Sequence, residues 1–267
     1  RYRAIRNTER LGTNRSYNMA IAEANYPIIV TTDANKYFEE NALVYLIERL
    51  ISDDTIAAVS GEQYPVVGAS SRTAQVESAY RNYYGRMCSW ESSVDSTYNF
   101  NGPIVGFKKD IIASINDQRG ADDANTAFEA IRRGYRSVYE PKAVVYEEIP
   151  ENFTKQYRQK IRRATRLIEA TIANINLLGT KRPFSRFFYP LRIMMYVVTP
   201  LLFFIGCAFF MLGCIISYPI VFIGIAGIFV ISHFTFKTNI FSAFVLNQFY
   251  LFMGLLNLGK DVRIWEK

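Results

Sequence analysis

The sequence predicts an α/β domain over residues 1–150, a basic amphipathic segment over residues 151–192, and a hydrophobic end that spans a membrane. Two observations predict the α/β part. Short runs rich in β-branched residues alternate with segments whose apolar residues recur every three or four positions, and such alternation is typical of a sheet covered by helices. A third observation predicts the membrane part, because apolar residues make up 50% of the chain and crowd into its last quarter.

The charge balance favours a membrane partner over a nucleic acid. The chain carries a formal charge of +7, and its basic residues concentrate in residues 155–192, immediately before the hydrophobic blocks. A polybasic segment in that position binds anionic lipid headgroups and marks the cytoplasmic side. Three cysteines, Cys88, Cys207 and Cys214, provide neither a metal-ligand spacing nor an even disulfide framework. We therefore expect membrane lipids, and no nucleic acid, among the partners.

The first predicted helix and strand lead into two oxygen-bearing side chains. Residues 13–25 place apolar residues on one helical face, and residues 27–32 form a buried strand that opens into a loop with Asp33 and Asn35. These two residues are two positions apart, so both oxygens can turn toward one hard cation such as Mg²⁺. The alternative is an Asx turn, in which Asp and Asn bond their own backbone. From the residues alone, both interpretations stay open.

Further strands and helices complete the predicted layer. They are a helix over residues 39–51, a strand over 56–60, a helix over 74–92, a strand over 101–110, and two short strands over 136–139 and 143–146. The residues expected to face inward are Leu43, Leu46, Ile47 and Leu50 in the first helix and Val76, Tyr80, Tyr83 and Tyr84 in the second. Gly102, near the start of the glycine-bracketed strand, would let another backbone or a sugar approach closely.

Two adjacent carboxylates, Asp122 and Asp123, begin a helix that stops at Gly134. One interpretation is an N-cap together with a second acid that the helix dipole favours. The other is a general base beside a second carboxylate, where mutual repulsion tunes one pKa. Capping alone needs only one of the two, and the residues leave the choice open.

A long basic helix is predicted over residues 153–178. Its Lys and Arg residues surround one apolar stripe, as in a helix that lies in a membrane interface. Gln159 lies three and four positions before Arg162 and Arg163, so these side chains can meet on one surface. The alternative is that the arginines contact lipid phosphates. The stripe consists of Phe153, Tyr157, Ile161, Ala164, Ile168, Ile172 and Ile175.

Three hydrophobic blocks follow, over residues 193–217, 218–234 and 240–258. At about 20 residues per crossing, the first and third are long enough to span a bilayer and the second is marginal. We therefore expect two to three transmembrane helices within residues 193–258, and a tail over residues 259–267.

The order of these motifs resembles that of the membrane-bound family 2 glycosyltransferases, which include cellulose synthase, hyaluronan synthase and related polysaccharide synthases. The resemblance rests on the segments 32–35, 101–108, 121–123 and 159–163 and on the hydrophobic end. It implies a GT-A type catalytic domain. The family's first nucleotide-binding strands have no counterpart here, so we expect this domain to be partial and the chain to lack an N-terminal portion.

The resemblance implies roles for the four acidic and amide side chains. Asp33 and Asn35 match the Asp-x-Asp pair that holds Mg²⁺ or Mn²⁺ on the diphosphate of the donor, although Asn35 stands where the family has an aspartate. Asp123 matches the catalytic base, and Asp122 takes the position of the carboxylate before it.

The resemblance also implies a surface that binds donor and acceptor. Gly102 belongs to the strand near the acceptor sugar, and Gln159, Arg162 and Arg163 fall on the Gln-x-x-Arg-Trp motif. Arg163 replaces the tryptophan, so the resemblance does not extend to sugar stacking, or to processive synthesis, at that position.

Taken together, the resemblance implies an inverting hexosyltransferase. It would move a sugar from a nucleotide-sugar donor, expected to be a UDP-sugar, to a glycan or lipid-linked acceptor, with polysaccharide synthesis as the expected pathway. The enzyme would be a multi-pass protein of the cell membrane with its catalytic domain in the cytoplasm. Two alternatives are single-sugar transfer to a lipid carrier or glycoconjugate, and a non-catalytic membrane subunit or transporter. The second of these has no need of an α/β domain with ordered acidic loops.

Overall fold

The computed structural model describes residues 3–9, 11–66, 72–148, 153–235 and 240–260. They form a sheet covered by helices, followed by longer apolar helices. The strands are β1 (Ile28–Thr31), β2 (Lys36–Phe38), β3 (Ile56–Pro65), β4 (Val105–Lys108) and β5 (Arg136–Glu147). The helices are α1 (Thr13–Glu23), α2 (Ala42–Ile51), α3 (Arg72–Val94), α4 (Asp122–Arg132), α5 (Phe153–Ala173), α6 (Phe184–Ser217), α7 (Pro219–Thr235) and α8 (Ile240–Leu256).

The five-stranded sheet has the order β1-β4-β3-β5-β2. Its neighbours run antiparallel except for the parallel pair β3 and β5. The two short strands predicted over residues 136–139 and 143–146 are one strand, β5. The pairing of β3 with β5 shifts register beside Gly61, where an added Cβ would lie 2.0 Å from the Ala143 carbonyl oxygen. This bulge accommodates Pro141, and β5 continues through it.

Helix α2 covers the sheet with a face that differs by one position from the prediction. Leu46 and Leu50 are fully buried, as expected, but Leu43 is 47% exposed and Ala42 is buried in its place. The helix begins at Ala42, so the buried stripe repeats every four residues from that position.

Helix α3 also presents an unexpected face. Tyr83 is 60% exposed, whereas the more polar positions Cys88, Glu91 and Ser92 are buried. Hydrophobic periodicity misses such a face because its polar residues are buried with hydrogen-bond partners: the Ser92 hydroxyl, for example, donates to the Cys88 carbonyl at 2.7 Å. The other positions predicted here to face inward include Val76 and Tyr80, whose side chains lie outside the described residues.

Protein, not lipid, covers the middle of the apolar stripe of α5. Ile161, Ala164 and Ile168 are buried. Helix α8 packs against this stretch so closely that a Cβ on Gly254 would lie 3.0 Å from the Ala164 Cβ. This corrects the expectation that the whole stripe lies in a membrane interface, because periodicity reveals an apolar face but not what covers it. Ile172, at the end of α5, is 41% exposed.

Helix α6 leads from the α/β layer into the hydrophobic end. Within the described residues it is the one helix that is long and apolar enough to cross a membrane. Its outer side chains are exposed, with Phe209 at 71% and Ile216 at 73%. Helices α7 and α8 are also apolar but have 17 residues each.

Two ion pairs fix the start of α6 to the α/β layer. Arg182 bonds the Asp95 carboxylate and donates to the Tyr135 carbonyl oxygen at 2.8 Å. Arg192, which is 1% exposed, donates to Glu91 Oε1 at 2.7 Å. Both carboxylates belong to the end of α3 or directly follow it, so the first turns of α6 are held against that helix.

An aromatic cluster extends this support to α4. The Tyr98 ring stacks on Phe128 with centroids 4.4 Å apart. Phe184 and Tyr189 of α6 pack edge-on against the same two rings. Phe128 lies in α4, so α6 buttresses the helix whose first turn carries the two predicted acidic residues.

The close contact between α5 and α8 yields a stability prediction. We expect Gly254→Val to lower the free energy of unfolding by about 1–3 kcal/mol, because the new side chain must push against the Ala164 side chain and the α5 backbone. Thermal or denaturant unfolding of the purified protein measures the loss. Gly206→Val is the control, since an added Cβ at Gly206 meets nothing within 4 Å. An equal loss in both variants would contradict the tight packing of α8 on α5.

Candidate active site

The loop between β1 and β2 holds Asp33 and Asn35, and both residues are exposed. Within the described part of the chain, neither side chain bonds the loop backbone in the way that an Asx turn requires. Carboxylate and amide oxygens suit Mg²⁺ or Mn²⁺, which keep several waters and bind through few protein groups when substrate phosphates complete the shell. The described residues contain no cluster of three or more acidic, His or Cys ligands. The pair therefore fits a cation that a phosphate-bearing substrate helps to hold.

Asp122 and Asp123 occupy the first turn of α4. The N-cap is Ala121, which has no capping side chain. Asp123 Oδ1 accepts the Ala124 N–H at 2.7 Å, and the Gly102 N–H also donates to this carboxylate. The Asp122 carboxylate accepts its own backbone N–H. Both carboxylates thus accept hydrogen bonds from N–H groups at the positive end of the helix.

Gly102 stands where any other residue would touch the carboxylate of Asp123. An added Cβ would lie 3.3 Å from Asp123 Oδ2. The preceding residue fixes this loop to β3, because the Asn101 N–H donates to Ser60 Oγ and its side-chain amide donates to the Gly61 carbonyl oxygen, both at 2.8 Å. The predicted close approach at Gly102 is therefore made by a carboxylate.

The two carboxylates have perturbed acidities. Burial, reinforced by repulsion from Asp122, raises the pKa of Asp123 to about 7, against the opposing effects of the two N–H donors and of Arg163. Burial also raises the pKa of Asp122, and the negative charge of Asp33 adds to the rise. A carboxyl group with a pKa near neutrality can take up a proton at the pH of a cell.

Arg162 connects the acidic groups electrostatically. Burial lowers its pKa, as do the nearby charges of Arg163 and Arg166, whereas Asp33 and Asp122 raise it. These mutual effects indicate that the β1–β2 loop, the start of α4 and helix α5 lie close to one another. Gln159 lies one turn earlier on α5, is partly exposed, and makes no hydrogen bond within the described residues.

One charged residue of this region escaped the sequence analysis. Glu147, the last residue of β5, accepts Lys36 Nζ at 2.9 Å and Arg163 Nη2 at 2.6 Å, and Gln63 bonds its second oxygen. Burial favours the neutral acid, yet Arg163 and Lys36 together lower the pKa of Glu147 to about 2. The sequence feature that could have indicated its role is the position of a glutamate directly after the apolar run Val144-Val145-Tyr146.

Comparisons with known proteins identify the family that the chain matches. Residues 28–246 match the family described as "Glycosyl transferase family group 2". A poly-beta-1,6-N-acetyl-D-glucosamine synthase of Staphylococcus aureus is 24% identical over 193 residues, covering 70% of this chain and 45% of that protein. A probable glycosyltransferase of Bacillus subtilis, YdaM, is 25% identical over 158 residues, covering 57% and 37%. The chain therefore spans about half, or less, of the length of these curated relatives.

The fold is similar to that of a solved glycosyltransferase. The mannosyltransferase PcManGT from Pyrobaculum calidifontis, in complex with GDP-Man and Mn²⁺, matches 95% of this chain and 68% of its own with a TM-score of 0.78 and 22% identity. The predicted α/β class is confirmed, and the fold is that of a GT-A-like glycosyltransferase domain.

The raised pKa of Asp123 predicts how stability depends on pH. The folded protein keeps this proton up to about pH 7, whereas an ordinary aspartate, as in the unfolded chain, has a pKa of 3.8. The unfolded chain therefore loses the proton first, and the folded protein loses stability as the pH rises from about 4 to 7. Asp123→Asn keeps an oxygen for the Ala124 N–H but carries no charge. We therefore expect the variant to become increasingly stable relative to the native protein between about pH 4 and 7, with a constant difference above. Melting temperatures across this range measure it.

A second aspartate provides a control of opposite sign. Hydrogen bonds from the Thr55 N–H and hydroxyl lower the pKa of Asp53. Its carboxylate therefore stabilises the folded protein above about pH 4. Asp53→Asn should be less stable than the native protein at neutral pH and should approach it as the pH falls. A pH-independent difference for Asp123→Asn would refute the buried environment of Asp123.

Proposed function

Because the chain belongs to glycosyltransferase family group 2, we propose that it carries the catalytic groups of an inverting enzyme that moves a sugar from a UDP-sugar to a glycan or lipid-linked acceptor. One observation carries the proposal. The carboxyl of Asp123, whose pKa is about 7, lies against Gly102 and next to Asp122, which is influenced by Asp33 and Arg162. A base and charge-balancing groups in one place are what transfer from a diphosphate requires.

In the proposed reaction, Asp123 accepts the proton of the acceptor hydroxyl while the hydroxyl oxygen attacks the anomeric carbon of the donor. The bond from that carbon to the diphosphate oxygen breaks, and its electron pair leaves with the nucleoside diphosphate. A single displacement of this kind inverts the anomeric carbon and needs no covalent enzyme intermediate. Asp122 supports the base, because its negative charge keeps the proton affinity of Asp123 high.

Charge on the leaving diphosphate must be balanced. We assign part of this task to Arg162, whose charge already interacts with Asp33 and Asp122. Asp33 and Asn35 would hold Mg²⁺ or Mn²⁺, which supplies Lewis-acid neutralisation of the diphosphate when bound. Support comes from the P. calidifontis mannosyltransferase, whose structure contains Mn²⁺ together with its nucleotide sugar. Asn35 offers a neutral oxygen, so we expect weaker cation binding than at a pair of aspartates.

We further propose a multi-pass membrane protein with the α/β layer in the cytoplasm. The length of α6 supports one crossing. The exposed apolar residues of α7, such as Ile220 at 83% and Ile223 at 69%, would be covered by lipid in further crossings. The basic residues between 155 and 192 favour the cytoplasmic side for the region before α6.

Polysaccharide synthesis is the product class that we favour, and the name of the S. aureus relative supports it. Single-sugar transfer to a lipid carrier is the second candidate. The observation that favours it is Arg163, which pairs with Glu147 at the position where the family carries a tryptophan. A charged pair offers a growing glycan no aromatic ring to stack on. The size of the radiolabelled product distinguishes the two classes.

Substitution of the two adjacent aspartates tests the assignment of the base. Asp123→Asn should fold and keep donor binding but lose transfer by about a hundredfold or more, because an amide takes up no proton. Asp122→Asn should retain much more activity. Transfer of labelled sugar by membranes that contain each variant, with a panel of nucleotide sugars, measures both. The reverse order of losses would overturn the assignment of Asp123.

Removal of the cation ligands tests the diphosphate site. We expect excess EDTA, or Asp33→Ala, to abolish most of the transfer, because the leaving group then keeps its full negative charge. Asn35→Asp should be tolerated and should lower the Mg²⁺ or Mn²⁺ concentration needed for half-maximal activity. Undiminished transfer in EDTA, or complete loss in Asn35→Asp, would contradict the ligand pair.

A further inference from the structure

The carboxylate of Glu147 joins three segments of the candidate site. Lys36, which donates to it at 2.9 Å, directly follows the loop that carries Asp33 and Asn35. Arg163, which donates at 2.6 Å, belongs to α5, one position after Arg162. Gln63 of β3 bonds the other oxygen. One side chain therefore links the proposed cation loop, the sheet and the basic helix.

The burial of these groups makes their pairing obligatory. The side chains of Lys36 and Glu147 are 3% and 12% exposed. A charge buried to this degree is strongly destabilising without its partner. The two residues are also register partners of the β2 and β5 strands, so the sheet itself fixes their separation. The β1–β2 loop is consequently anchored to the position of Glu147 through Lys36, the residue that directly follows it.

Arg163 reaches this buried pair from the surface of α5. Its side chain is 40% exposed, and its charge acts on Asp123 as well as on Glu147. Without the Glu147 carboxylate, the guanidinium would be attracted more strongly by the carboxylate of Asp123, on which its charge already acts. Glu147 thus restrains the arginine whose charge acts on the proposed base.

We propose that Glu147 is a positioning residue for sugar transfer, which holds Lys36 at the end of the cation loop and Arg163 near Asp123. This inference rests on the proposed function. It acts through two cations and touches no reacting atom, so its effect should fall on turnover more than on binding of the donor. Displacement of catalytic groups by an ångström is enough for such an effect.

The test is Glu147→Gln, which keeps the shape of the side chain and removes its charge. We expect kcat per folded molecule to fall by about tenfold to a hundredfold, the usual effect of losing a supporting partner, with a change in donor KM of no more than about threefold. Glu148→Gln is the matched control, since Glu148 is the exposed neighbour and its contact is with the Tyr37 hydroxyl at 3.3 Å. It should turn over like the native enzyme.

Companion variants separate positioning from folding. Glu147→Asp keeps the charge and should recover part of kcat. Combining Glu147→Gln with Lys36→Gln removes both buried charges, so it should restore the melting temperature without restoring kcat. In the Arg163→Gln background, Glu147→Gln should cost clearly less turnover than in the native enzyme, because one of the cations through which it acts is gone.

The outcomes distinguish this inference from the function on which it rests. Normal kcat in folded Glu147→Gln, with only a lowered melting temperature, would show a purely structural role and overturn the inference. Recovery of kcat together with stability in the Lys36 and Glu147 double variant would do the same. If Asp123→Asn retains full transfer, the proposed function itself fails, whatever Glu147 does.

Discussion

Two adjacent carboxylates at the start of α4 impose the main constraint on this structure. Burial and mutual repulsion work against the ionisation of Asp123. The carboxylate is tolerable only because N–H groups from α4 and from the loop at Gly102 point at it and because Arg163 lies nearby. The absence of a side chain at Gly102 is part of the same solution, since a Cβ would crowd the oxygen. The loop before β4, the start of α4 and helix α5 thus all contribute groups that act on the carboxylate of Asp123.

The apolar helix α6 is tied to the same arrangement. Arg182 and Arg192 pair with Asp95 and Glu91, and breaking a buried pair by removing one partner costs about 3–5 kcal/mol. Such pairs resist sliding between α6 and α3. The stacked rings of Tyr98 and Phe128 then carry this rigidity into α4. The part of the chain proposed to enter the membrane therefore supports the helix that carries the proposed base. Separation of α6 from α3 would break both ion pairs.

Sequence patterns predicted those features that depend only on residues close together in the chain. The α/β class, the strand before Asp33, the helix after Asp123 and the apolar character of α6 all follow from periodicity and punctuation within a few residues. The predictions failed where the structure of a segment depends on a partner that is distant in the sequence. The stripe of α5 is covered by α8, some ninety positions later in the chain, and the three-residue strand β2 exists only because β5 pairs with it. No window of sequence contains both members of either pair.

The same limit explains why Glu147 was missed, and it bears on the departure at Arg163. From the sequence alone, Arg163 in place of a tryptophan means only that an aromatic ring is missing. With Glu147 and Lys36 beside it, Arg163 becomes part of a charge cluster in which one carboxylate bonds two cations, and the cluster keeps a net positive charge. At this position the protein presents hydrogen-bond donors that a carboxylate holds in place, where a ring would present an apolar face. Such donors suit sugar hydroxyls or a phosphate, so polymer synthesis and single-sugar transfer place different demands on the site at this position.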